Sequence, residues 1–262
     1  MTILILILLG FLWPALFPQA NRLAAQKAIG VHWKVPDSNQ EAFKQLEAFH
    51  NWGIRYLKVD TKLRAPLLEL TDSLDYRVFV TIPNQYTTEY QLLSESSTII
   101  EALREYGQYY EEQEHIQAFG LFHFAEFENQ GFRQQTLPLV RDFKDLFDRS
   151  VYFTTARPGL QDTLQPYDFF IYRSDQLGTL DLSTTNNGNL GGVLVSPPLS
   201  QYSLREFQNL MQSDVLNQST PVFLESTWLL AQANSHPDLV SVIRTFATEK
   251  EPLLSTPRPP QD

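Results

Sequence analysis

From residue 28 onward, short runs of apolar, β-branched and aromatic residues alternate with longer stretches whose apolar positions recur every three or four residues. The short runs at 28–33, 55–60, 77–83, 117–126, 151–155, 168–172, 192–195 and 221–226 read as strands. Each is apolar on both faces, as parallel strands beneath helices must be. The longer stretches read as helices at 40–52, over much of 89–113, and at 136–149, 203–214 and 237–248. In the first of these, Phe43, Leu46, Phe49 and His50 fall at helical spacing, and Gly53 is placed to close the helix as its C′ residue. Eight strands alternating with helices predict an α/β chain folded as one (β/α)8 TIM barrel. The interval 176–200 breaks the rhythm. Its first part, with Asn186, Asn187 and Gly188, reads as a loop or hairpin rather than a helix. Two counts follow. Either 192–195 is a barrel strand and Glu225 ends the eighth, or 192–195 is an insertion, Glu225 ends the seventh, and the eighth is missing or irregular.

A length of 262 residues, 43% hydrophobic and 19% charged, suits one large domain, expected over residues 26–250. Residues 2–17 form an unbroken apolar stretch. It is shorter than the ~20 residues of a spanning helix and contains Pro14, so residues 1–25 read as a signal peptide cleaved after Ala25 or as an uncleaved membrane anchor. Both place the domain in the cell envelope or outside the cell. Residues 251–262 are too rich in proline to order alone, and a disordered tail is expected. With no cysteine, disulfides, thiolate catalysis and zinc–thiolate sites are excluded. A net charge of −10 opposes phosphate backbones and argues against a nucleic-acid partner. The chain has no dinucleotide-binding or phosphate-binding glycine loop, no serine-hydrolase elbow and no metal-ligand spacing. No cofactor and no metal are expected.

Carboxylates at the ends of buried strands carry the chemical signal. Glu126 and Glu128 follow the run that starts at 117, and Glu225 follows Val222, Phe223 and Leu224. Acids at the carboxyl ends of barrel strands are where a glycosidase keeps its acid/base and its nucleophile, about 5–5.5 Å apart in retaining enzymes. If the strand persists, Glu126 and Glu128 face one side with Phe122 and Phe124, and Phe124, Phe127 and neighbouring aromatics would raise the pKa of the acid that donates the proton. The alternative is a pair of rim carboxylates neutralised by Arg133 or Arg157. His32, Trp33 and Lys58 end early strands and suit either a sugar-binding floor or core packing. Asn129 follows the second acid. Tyr172 suits either orientation of Glu225 or the core, and Trp228 either a stacking platform or a barrel cap. Asp60 reads as a rim or ligand-binding acid.

These segments resemble the clan-A glycoside hydrolases, in particular the barrel domains of families 2 and 5. Residues 27–33 are similar to their first strand and 52–58 to their second, with Lys58 at the place of a substrate-site arginine. Residues 122–129 fall where the fourth strand carries an Asn-Glu pair whose glutamate is acid/base. Tyr172 matches the sixth-strand tyrosine beside the nucleophile, and residues 220–228 resemble the nucleophile strand, with Glu225 as nucleophile. The departures are the absent Asn-Glu dipeptide and the lysine at 58. The resemblance implies an exported or membrane-tethered protein that cleaves oligo- or polysaccharide by a retaining two-glutamate mechanism. The departures imply a second expectation, a catalytically degenerate barrel that binds a glycan or a protein.

Overall fold

The computed structural model describes residues 28–82, 96–122, 130–155, 165–174, 190–195, 205, 207, 209 and 221–247. Eight parallel strands hydrogen-bond in chain order and close on themselves. They are β1 (Ile29–His32), β2 (Tyr56–Val59), β3 (Arg77–Thr81), β4 (Ile116–Gly120), β5 (Ser150–Thr155), β6 (Phe169–Ser174), β7 (Leu190–Val195) and β8 (Val222–Glu225). The closing pair is β1 with β8, in a register that sets His32 opposite Glu225. Six helices lie among the described residues: α1 (Asn39–Asn51), α2 (Ala65–Ser73), α3 (Ser96–Tyr110), α4 (Gln130–Leu146), α5 (Ser226–Ser235) and α6 (Pro237–Phe246). The fold is the (β/α)8 barrel that the hydrophobic pattern predicts.

The count is settled in favour of strand eight. Residues 190–195 pair with β6 on one side and β8 on the other, so β7 belongs to the barrel and is no insertion. Glu225 therefore ends β8. The fourth strand is shorter than expected: it stops at Gly120, and Phe122 takes a φ of 61°, a left-handed conformation no strand continues through. The expectation that Glu126 and Glu128 share a face by strand alternation loses its basis, and both residues, with Asn129, lie outside those described.

Local chemistry explains the helix ends. The Ser38 hydroxyl accepts from the Glu41 N–H to cap α1, whose Ala42, Leu46 and Phe49 are buried. Gly53, just past its end, has φ 86°, the conformation for which glycine is suited. Proline at the first turn starts both α2 and α6, where its missing N–H is no loss. Neither α2 nor α5 is anticipated by the hydrophobic pattern. The expected helix at 203–214 is touched only by residues 205, 207 and 209, which are helical, with Phe207 buried.

Alternation along each strand sorts the core into two clusters. The larger lies between the strands and the helices and includes Val31, Leu57, Val59, Val80, Phe119, Phe153, Val193 and Leu224. The smaller fills the barrel and comprises Tyr56, Phe79, Ala118, Tyr152, Ile171, Leu194 and Phe223, with Ala28 and Phe169 against it. Phe79 is its hub, meeting Tyr152, Phe169 and Phe223 edge-on at centroid distances of 5.4–6.1 Å. Gly30 leaves room for this packing, since a Cβ there would lie 2.6 Å from the Phe223 ring and 2.9 Å from the Tyr56 Cβ. The barrel is a packed core, and what chemistry it has sits on top of that core.

Candidate functional site at the barrel mouth

On several strands, the position two residues beyond an inward-facing one brings a polar side chain to the same inner face at the strand's carboxyl end. Tyr56 is followed by Lys58, Phe79 by Thr81, Ile171 by Arg173 and Phe223 by Glu225; Gly30 is followed by His32. Five groups from four strands join into one hydrogen-bonded chain. The Tyr152 hydroxyl lies 3.0 Å from Thr81 Oγ1, which accepts from Lys58 Nζ at 3.0 Å. Lys58 Nζ also donates to Asp60 Oδ1 at 2.5 Å, and Asp60 Oδ2 lies 2.6 Å from His32 Nε2. Gly120 permits the first link: a Cβ at that position would come within 2.7 Å of the Tyr152 ring, which crosses from β5 to reach Thr81 on β3.

Burial within the network is uneven. The Lys58 side chain is 3% exposed and the Asp60 side chain 48%. Burial pulls the Lys58 ammonium below its ordinary pKa; Asp60 opposes this and Arg173 reinforces it. Partial burial alone would push the Asp60 carboxyl up. The hydrogen bond from His32 and the charges of Lys58 and His32 outweigh it, holding the group well below the usual carboxylate range. Burial holds the Tyr152 phenol far above its ordinary value, so it stays protonated and can donate.

The loop after β2 holds Asp60 in place. Tyr110 Oη accepts from the Leu63 N–H at 2.8 Å, and Tyr109 Oη donates to the Leu63 carbonyl at 2.7 Å. The Lys62 ammonium sits 4.1 Å from the Tyr109 ring centroid, and Arg64 donates to the Pro36 carbonyl at 2.7 Å, joining this loop to the one after β1. Across the seam, Lys34 N–H donates to the Ser226 hydroxyl at 3.0 Å. Glu225 takes the N-cap position of α5 but makes no side-chain cap bond; its Oε1 accepts from Thr227 Oγ1 at 3.0 Å.

Of the residues singled out in the sequence, the structure brings His32, Lys58 and Glu225 to the mouth. Three others go elsewhere. Trp33 is 1% exposed in the strand–helix core, with its indole N–H bonded to Gln45 of α1 at 2.9 Å, so its ring is not part of a sugar-binding floor. Tyr172 has the opposite parity to Ile171 and Arg173 and packs against the outer core; it does not reach Glu225, two strands away. Trp228 is 3% exposed and packs in that same core from α5, which leaves no ring face for stacking. Asp60, which reads from sequence as a rim or ligand-binding acid, is the centre of the network. Its signal was a Lys-x-Asp pair of equal parity at the end of an otherwise apolar strand. Among the described residues, no cluster of three His, Asp or Glu is placed to hold a metal, and no helix is long and apolar enough to cross a membrane.

No protein-family model matches the chain, and no curated protein matches it. Solved structures do. A GH2 β-galacturonidase from Eisenbergiella tayi aligns with a TM-score of 0.60 at 12% identity, covering 85% of this chain and 50% of that one. An endo-β-1,4-mannanase from Thermotoga petrophila aligns with a TM-score of 0.55 at 10% identity, over 85% of this chain and 76% of that one. A GH113 β-1,4-mannanase aligns with a TM-score of 0.55 at 13% identity, over 86% and 99% of the two chains. The chain spans about half the length of the galacturonidase. At such identities the likeness shows the fold alone, a barrel shared with these solved glycoside hydrolases.

Proposed function

We propose that this chain is a glycoside hydrolase-like barrel that engages oligo- or polysaccharide at the carboxyl ends of its strands, held in the cell envelope or secreted by way of residues 2–17. The observation that carries the reading is the run of inward-facing polar groups, Glu225, His32, Lys58, Asp60 and Thr81, on four consecutive strands above a filled barrel. Carboxylates and fixed hydroxyls at a barrel mouth are suited to sugar hydroxyls, and the proteins of similar fold are a galacturonidase and mannanases.

Binding is the part the geometry supports best. In the clan the nucleophile ends strand seven, whereas Glu225 ends strand eight. Inward positions near the end of β7 hold Gly192 and Leu194 instead. Asp60 is a poor proton donor, because the hydrogen bond from His32 and the Lys58 ammonium hold its carboxyl well below the usual carboxylate range. Cleavage by Glu225 with Glu126 or Glu128 as acid/base is the second reading. It is favoured by Glu225 itself, whose carboxylate faces the mouth and is not consumed in capping α5.

A panel of neutral and acidic oligosaccharides tests both. Titration of the wild-type protein by isothermal calorimetry is expected to show binding of at least one glycan, weakened in Glu225→Gln. Absence of binding to every glycan would overturn the proposal. Release of reducing ends that Glu225→Gln abolishes would replace the binding reading with the hydrolytic one. Cell fractionation of the full chain checks the placement: recovery in the cytoplasm would refute export.

A further inference from the structure

We infer that the Asp60 carboxylate is a binding site for the vicinal diol of a neutral sugar, a reading that rests on the glycan-binding function proposed above. Each carboxylate oxygen has two lone pairs. In Asp60 one on Oδ1 is taken by Lys58 and one on Oδ2 by His32. Half of the side chain is open to solvent. What remains is one acceptor position on each of the two coplanar oxygens of a half-exposed side chain. Two adjacent sugar hydroxyls present donors at matching spacing, so the ligand completes the carboxylate's hydrogen bonds without displacing either protein partner.

Fixation makes this more than an exposed acid. Lys58 is locked from below by Thr81 and Tyr152, and the chain segment after Asp60 is clamped by Tyr109, Tyr110, Lys62 and Arg64. A ligand group meeting a carboxylate that is already ordered loses less entropy on binding. The same arrangement disfavours anions. The Lys58 ammonium is buried and engaged by Asp60 and Thr81, and an incoming carboxylate or phosphate would meet the Asp60 charge first.

The test uses the full chain with neutral tetrasaccharides of gluco, manno and galacto configuration, tetragalacturonate, and deoxy derivatives of whichever neutral sugar binds, each lacking one hydroxyl of a vicinal pair. Asp60→Asn is compared with wild type. Because that change strands the Lys58 charge, the double variant Lys58→Met/Asp60→Asn, which has no unpaired ammonium, is measured alongside. A charge-assisted hydrogen bond lost to truncation corresponds to about tenfold or more in affinity. Both variants are expected to bind the neutral sugar at least about tenfold more weakly than wild type, and removal of one diol hydroxyl is expected to weaken wild type but not the variants. Two results overturn the inference while leaving the glycan-binding reading intact. One is unchanged affinity in the folded double variant alongside weakening by Glu225→Gln. The other is binding of tetragalacturonate alone, strengthened when Asp60 is removed. Failure of every glycan to bind wild type overturns both.

Discussion

Replacing Lys58 and replacing Asp60 remove the same ion pair, yet the two changes are expected to differ sharply in cost. The Lys58 side chain is 3% exposed and that of Asp60 48%. In Asp60→Asn the buried ammonium keeps Thr81 but loses its counter-charge, and an uncompensated buried charge destabilises by about 3–5 kcal/mol. In Lys58→Met the apolar side chain lies on Tyr56 and Phe79, while Asp60 keeps its bond to His32 and meets water over its open half. The desolvation penalty of the ammonium disappears as well, so the net loss is about 1 kcal/mol or less, as for exposed pairs. Urea unfolding of both single variants and the double variant at pH 7 measures the asymmetry, with unchanged m-values as the condition for comparison. Lys58→Met should rescue most of the loss in Asp60→Asn. Alkaline pH gives a second handle: the folded-state pKa of Lys58 lies below its unfolded value of 10.5, so the unfolded chain binds more protons between the two. Stability of Asp60→Asn should therefore rise with pH through that window. Equal costs for the two single changes, or no rescue in the double variant, would refute the claim that burial is deeper at the lysine end of the pair.

The barrel interior and the acid limb offer further tests. Gly30→Ala places a methyl group 2.6 Å from the Phe223 ring and 2.9 Å from the Tyr56 Cβ, and should lower stability by about 1–3 kcal/mol through overpacking; an unchanged melting temperature would contradict the packing described. Tyr110→Phe removes the acceptor of the Leu63 N–H, and hydrogen exchange at that amide should accelerate while α3 remains helical; unaltered protection would show that the clamp does not hold the loop. Asp60 is held well below its ordinary range in the folded state, so its ionised form stabilises the protein above the unfolded carboxylate pKa of about 3.9. The stability gap between wild type and Asp60→Asn should narrow as pH falls below that value, and a gap that stays constant from pH 6 to pH 3 would count against the assignment.

Strands were easier to read from the sequence than the contacts between them. Apolar runs on both faces marked all eight, because a parallel strand between barrel interior and helices has no polar side. Helix α5 went unanticipated since it follows β8 without a linker, so Trp228 reads as an extension of the strand, and α2 is only nine residues long. Parity decided the fate of the site candidates. Tyr172 and Arg173 are neighbours, and only the structure fixes which of them faces inward, because a shift of one residue exchanges the faces. Lys58 and Asp60 could be placed on one side from spacing alone. Their partner His32 lies 28 residues from Asp60, and the pairing depends on the register between β1 and β2, which no local pattern encodes.

The order in which the strands carry their polar ends bears on how a glycan would lie. Glu225, His32, Lys58 and Thr81 belong to β8, β1, β2 and β3, consecutive around the barrel, and Tyr152 reaches the same arc only because β4 offers Gly120 in its path. Glu225 and Asp60 are separated by β1, so the strands that bear them are about 10 Å apart at two inter-strand spacings. Lying on one arc of the mouth, the two acids are suited to different hydroxyls along a sugar, or to adjacent sugars. Any hydrolysis at this mouth is better served by a proton donor other than Asp60, and a glycan laid along the arc from β8 to β3 would meet Glu225 at one end and the fixed carboxylate of Asp60 at the other.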